Sequence, residues 1–210
     1  MKHIDLKTKR VEGLEKETLA PGIIVYKNVS LDFLEILELI ETKDLWYPGG
    51  AALSRYEKDG YENHRDVNVF DVGDDVDVSS LGFTTDEAEK YIKVAADLHQ
   101  LSSYCLSDYV STYGIDTLRG IISDYQILKY SLGQTFSEHT DEIPENKRTI
   151  STILYLNDDY EGGELRFTRF ALTYKPTRGD YIVFPSMWSY SHVAQEVREG
   201  TKYAIVSFVF

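Results

Sequence analysis

Cysteine is almost missing from this 210-residue chain. Cys105 stands alone, so no intramolecular disulfide can form and no disulfide framework points to secretion. No apolar run approaches the roughly 18 residues that a membrane helix needs. The opening MKHIDLKTKRVEG carries charges but no apolar core, unlike a secretory leader. The expectation is a cytoplasmic protein with no membrane partner. Basic residues are also short, 22 Lys and Arg against 35 Asp and Glu, and a net charge of −13 repels phosphate backbones. A nucleic-acid partner is therefore not expected. No Pro/Gly-rich linker and no internal repeat divides the chain, so residues 1–210 are read as one domain.

What is present favours a real core. Hydrophobic residues make up 42% of the chain, and 16 Tyr and 9 Phe with many late β-branched residues point to a β-rich architecture. Residues 1–120 read as a helical and looped support region. Ser30 is a candidate N-cap for LDFLEILELIETK, with Leu31, Leu34, Leu37 and Ile40 on one face. Thr84 and Glu87 form a capping box ahead of a long helical pattern through Ala88, Tyr91, Ala95, Leu98 and Tyr109, with Gly114 as its stop. Between them, 46–83 read as loops with short strands, and 46–77 as a possible substrate lid. From 121 the texture changes to short strands: SDYQILKYS, RTISTILYLN, GELRFT, DYIVFPS and TKYAIVSFVF. Turn signals such as Gly162-Gly163 and Arg178-Gly179-Asp180 separate them. The expected fold is α+β, mostly β: a double-stranded β-helix (jelly roll) core over 121–210, buttressed by N-terminal helices.

Within YSLGQTFSEHTDEI, His139 and Asp141 stand two apart. In an extended segment both side chains point to one face and can converge on one ion. Two histidines and one carboxylate on one face of an octahedral ion are the non-haem iron(II) facial triad. A histidine bonded beside its own aspartate is the ordinary alternative. The chain has five histidines to supply a third ligand. His3 lies near the terminus, His99 falls inside the long helix, and His64 sits in an acidic loop and is the competitor. His192, between two apolar strands, is the favoured partner.

The wider pattern resembles the prolyl 4-hydroxylase-type branch of the iron(II)/2-oxoglutarate dioxygenases. Its elements are Tyr130-x-x-Gly133-Gln134-x-Phe136-x-x-His139-x-Asp141, Tyr155-Leu156-Asn157 and Glu161-Gly162-Gly163-Glu164-Leu165. They continue with Pro176-x-x-Gly179-Asp180, Phe184-Pro185, His192 and Gly200-Thr201-Lys202-Tyr203. The resemblance covers roughly 122–210. It implies Fe(II) on His139, Asp141 and His192, with 2-oxoglutarate as cosubstrate, O2 as oxidant and L-ascorbate as a common requirement. It implies further that Lys202 meets the far carboxylate of 2-oxoglutarate, and that Tyr130, Tyr155 and Leu165 line its pocket. A lysine in an apolar strand is costly unless an anion accompanies it, which agrees with that role; a solvent-facing lysine at the strand start, and plain core packing for Tyr130, Tyr155 and Leu165, are the alternatives. Phe136 departs from a tyrosine common in the family and Phe208 from a tryptophan, so the aromatic wall is kept while substrate preference is left open.

The implied reaction is hydroxylation of a proline in a peptide or protein, with 2-oxoglutarate converted to succinate and CO2. Arg65 and Phe208 are the candidate substrate contacts, although a surface ion pair is the simpler role for Arg65. A free amino acid or other small molecule is the alternative substrate. A jelly-roll binding protein without catalysis is the alternative from another class.

Overall fold

Two-residue alternation along the strands sets the layering. The computed structural model describes residues 2–3, 15–29, 31, 33–49, 66–73, 76–115, 120–142 and 147–210. In chain order the elements are β1 (Lys2–His3), β2 (Lys16–Ala20), β3 (Ile23–Tyr26), α1 (Leu34–Thr42), β4 (Tyr47–Pro48), β5 (Asn68–Val72) and α2 (Thr85–Tyr113). There follow β6 (Ile121–Ile122), β7 (Tyr125–Tyr130), β8 (Phe136–His139), β9 (Ile150–Tyr155), β10 (Glu161–Gly162), β11 (Leu165–Phe167) and β12 (Leu172–Tyr174). The last are β13 (Tyr181–Pro185), β14 (His192–Ala194), β15 (Val197–Glu199) and β16 (Lys202–Val209).

A large sheet runs β2-β3-β13-β9-β16-β7-β5-β4, with β6 against β16 and β1 against β6; a small sheet runs β12-β11-β14-β8. Strands β10 and β15 pair with each other, and the ladders are antiparallel throughout. This is the expected mostly-β jelly roll with two helices. All five strands expected after residue 121 form.

The large sheet is buried on both faces. On one, Ile127, Ile150, Leu154, Tyr181, Val183, Ile205 and Val209 join the Tyr91, Ala95, Leu98 and Leu106 stripe of α2 and Ile36, Leu37 and Ile40 of α1. On the other, Ile153, Tyr155, Ile182, Phe184 and Ala204 meet Leu165 and Phe167 of the small sheet. The site lies between the sheets, on this second face. Register fixes it there, because a one-residue slip of β16 would turn Lys202 toward the helices.

Helix α2 begins and ends as its sequence directs. Thr84 and Glu87 make both bonds of the capping box, and Gly114 closes the helix at φ 63°. Helix α1 departs from expectation. It starts at Leu34 behind Phe33, without a side-chain cap, and the Ser30 assignment falls outside the described residues. Its buried stripe is Phe33, Ile36, Leu37 and Ile40, while Leu34 is half exposed. The later start selects this i, i+3, i+4, i+7 set. The strands β2, β3 and β5 belong to the large sheet although they lie in the N-terminal half. Ile23–Tyr26 is apolar on every residue because both faces are covered, so it lacks the alternation that marks a half-exposed strand. The described part of the possible lid contributes β4 and β5; residues 50–65 lie outside the described residues. No described helix is long and apolar enough to cross a membrane.

Candidate metal centre

His139 ends β8, and its cross-strand partner on β14 is His192. The two imidazoles therefore face each other, with ring centroids 4.3 Å apart. Asp141 follows two residues on and turns its carboxylate to both: His139 Nε2 lies 3.6 Å from Oδ1 and His192 Nε2 3.7 Å from Oδ2. All three ligand atoms fall within 4.8 Å of one another. The competitor His64 lies outside the described residues.

The hydrogen bonds around the imidazoles suit metal ligation. His139 Nδ1 is 2.8 Å from the Ser137 carbonyl and His192 Nδ1 is 3.1 Å from the Tyr190 carbonyl. A carbonyl only accepts, so both Nδ1 atoms carry a proton, and in each ring Nε2 is the nitrogen turned to the carboxylate, where a metal would take the place of its proton. Burial works against the charge of Asp141. The facing His192 and His139, the Ser151 hydroxyl and Arg148 outweigh it and hold the carboxyl below its ordinary range. Two neutral imidazoles and one carboxylate, aimed at one point, fit a divalent transition metal such as iron(II).

A β-bulge shapes the approach. Phe136 pairs with Ala194 and His139 with His192, so β8 carries one residue more than β14 over this interval. The bulge lets residues three apart face inward together, and the Phe136 ring stacks on His139 at 3.5 Å between centroids. Phe167 and Phe184 pack against His192 from the other side.

Lys202 opens β16, opposite Tyr130 of β7. Its side chain is buried, and its ammonium donates to the Gly163 carbonyl at 2.7 Å. It also stands 5.0 Å from the Tyr130 ring centre and 5.3 Å from that of Tyr155. Among the described residues it forms no salt bridge. Burial lowers its pKa to about 7, with Glu164 opposing and Lys175 adding to the fall. Gly163 is required there. At φ +63° a side chain would be strained, and a Cβ would sit 3.0 Å from the Lys202 Cδ.

The remaining expectations divide. Tyr130, Tyr155 and Leu165 are buried on the inner faces of β7, β9 and β11, the two tyrosine rings beside the Lys202 ammonium. Phe208 shares the inward face of β16, but its ring is covered by the Arg148 guanidinium at 3.7 Å. Arg65 lies outside the described residues. Sequence reasoning missed Arg148, which also donates to the Asp141 backbone carbonyl at 3.4 Å. Its signal was a lone arginine just before an apolar strand, which alone marks nothing. Ser151, bonded to Asp141 and to Ser186 at 2.8 Å, was hidden within a strand that read only as core.

A jelly roll holding a His-x-Asp…His donor set is the architecture of the iron(II)/2-oxoglutarate oxygenases. Residues 125–210 match the family model described as the 2OG-Fe(II) oxygenase superfamily. The chain is 29% identical over 99 residues to a PKHD-type hydroxylase of Prochlorococcus marinus, a stretch covering 44% of this chain and 44% of that protein. Among solved structures it is similar in fold to a prolyl-4-hydroxylase of Pseudomonas putida, with TM-score 0.55, 17% identity and 84% of each chain covered. A prolyl hydroxylase from Trichoplax adhaerens, in complex with a hypoxia inducible factor oxygen degradation domain peptide fragment, is similar with TM-score 0.53 and 17% identity. There, 90% of this chain and 83% of that chain are covered.

Proposed function

We propose that the chain is an Fe(II)- and 2-oxoglutarate-dependent dioxygenase that hydroxylates a prolyl residue in a peptide or protein. One observation carries the reading. The same space between the two sheets holds the His139–Asp141–His192 donor set and a buried lysine that forms no salt bridge among the described residues. His139, Asp141 and His192 would hold the iron. Lys202 would bind the far carboxylate of 2-oxoglutarate, with Tyr130, Tyr155 and Leu165 walling that ligand. The bound iron, 2-oxoglutarate and O2 supply oxidative decarboxylation to succinate and CO2, coupled to hydroxylation of a carbon.

The chain's residues do the rest. The Nδ1 bonds to Ser137 and Tyr190 fix the direction of both Nε2 atoms. The Ser151 hydroxyl and Arg148 orient Asp141 from two sides. Phe136, Phe167 and Phe184 exclude water from the imidazoles. Arg148 over Phe208 presents a cation beside Asp141, where a substrate carbonyl could be met. The prolyl substrate is supported by the similar folds of the two prolyl hydroxylases, one of them holding a peptide.

The test is a proline-containing peptide panel with iron(II), 2-oxoglutarate and L-ascorbate, read by mass spectrometry. A gain of one oxygen that depends on 2-oxoglutarate is expected. Succinate formation without any modified peptide would move the substrate to free amino acids or other small molecules. No succinate from any mixture would overturn the oxygenase reading.

A further inference from the structure

The outer face of the small sheet carries a polar cluster that the proposed chemistry does not use. Glu138 immediately precedes His139, and Ser191 immediately precedes His192. Residues adjacent in an extended strand point to opposite faces, so both lie behind the imidazoles. Thr168 joins them from β11's end, beside Phe167, which pairs with His192. The Ser191 hydroxyl donates to Glu138 Oε1 at 2.5 Å and the Thr168 hydroxyl reaches the same oxygen at 2.7 Å; the two hydroxyl oxygens are 2.8 Å apart. Each hydroxyl has one hydrogen, so with both given to Glu138 the hydroxyl–hydroxyl edge is a close approach held by the shared acceptor. Those two hydroxyls, helped by Arg169 and Arg166, hold the Glu138 carboxyl below its ordinary range.

The need for such a tie is visible in the backbone. Strand β8 is the edge of the small sheet, four residues long, and bulged between its two inward residues. A bulge removes ladder bonds, and an edge strand has only one neighbour to replace them. Yet this strand delivers His139 and leads directly to Asp141. A solvent-facing glutamate would ordinarily keep its rotamer freedom. Here two short charge-assisted bonds restrain it.

We infer that Glu138, Ser191 and Thr168 form a clamp that fixes β8 against β14 and so sets the spacing of the two imidazoles. Glu138 and Ser191 are positioning residues: they touch neither metal nor substrate and act through the strands that carry the ligands. The inference rests on the proposed metal role of His139 and His192.

Two readouts test it, neither of them turnover. The first is the Kd for Co(II), from its visible absorption on the full chain. Outer partners of metal ligands change affinity by about 10- to 100-fold, and Glu138→Ala is expected near the low end of that range. Glu138→Gln keeps an acceptor oxygen and is expected to stay within about threefold of the parent. Because the bond is shared, Glu138→Ala with Ser191→Ala together should weaken binding little more than Glu138→Ala alone. The second readout is backbone amide exchange in metal-free protein, which should accelerate across 136–141 in Glu138→Ala. Co(II) affinity within twofold of the parent, additive losses in the double variant, or unchanged exchange would each overturn the clamp. If Glu138→Ala does not fold, Ser191→Ala decides by the same thresholds. A parent chain that binds no Co(II) would overturn the metal role instead, and the exchange comparison would still decide whether the clamp holds the strand.

Discussion

Replacing Lys202 by methionine should stabilise the ligand-free protein at pH 6.5 while abolishing 2-oxoglutarate binding. Methionine is close to lysine in length and volume, so packing against Tyr130 and Tyr155 is largely kept. The charge is what changes. The Lys202 pKa falls from 10.5 to about 7 on folding, chiefly through burial. At about 1.4 kcal/mol per pH unit, that is a cost near 5 kcal/mol below pH 7, taken as an upper bound. Against it, the Gly163 carbonyl loses the Lys202 ammonium as donor, a loss of about 1–3 kcal/mol.

The sign follows from proton binding. Between about pH 7 and 10.5 the unfolded chain holds the Lys202 proton and the folded chain does not, so the parent gains stability as pH rises across that window. By pH 10 the burial cost has shrunk to about 1 kcal/mol, while the lost bond to Gly163 remains. Lys202→Met should therefore gain about 2–3 kcal/mol at pH 6.5 and show no gain, or a small loss, at pH 10. Urea unfolding at the two pH values, without metal or 2-oxoglutarate, measures this. An equal effect at both pH values, or a loss at pH 6.5, would refute the reasoning. A pocket residue whose removal strengthens the empty fold is the mark of a site kept for its ligand.

The same amine predicts a pH-dependent affinity. Above pH 7 the free protein must take up a proton to meet a carboxylate, so the Kd for 2-oxoglutarate should rise by up to about tenfold per pH unit, read by calorimetry in buffers of different ionisation enthalpy; a flat Kd from pH 6 to 9 would place the carboxylate elsewhere. Co(II) at about 100 times its Kd should add about 2.7 kcal/mol of stability and raise Tm by about 5–10 °C, whereas His192→Ala should show no such shift. Thr84→Ala, which removes the capping box of α2, should cost about 1 kcal/mol and leave the Kd for 2-oxoglutarate unchanged. An altered Kd would mean that α2 couples to the pocket.

The parts legible in the sequence share one property: their signal is local and periodic. The capping box of α2, the alternation of β16 and the spacing of His139 and Asp141 each declare a geometry within four residues or fewer. His192 and Lys202 sit 53 and 63 positions beyond His139; His192 is one of only five histidines, whereas Lys202 is singled out only by the family resemblance. What stayed hidden depends on pairing between distant segments. Ile23–Tyr26 shows no alternation because both its faces are covered, and its inner neighbour in the sheet, β13, lies over 150 residues away. Glu138 points away from the metal donors, and its importance comes from Ser191 and Thr168, brought beside it by the register of β11, β14 and β8. The back of a ligand strand is therefore where sequence reading is weakest. A carboxylate there looks like any other on a chain of −13 charge, and only the fold shows which hydroxyls it grips.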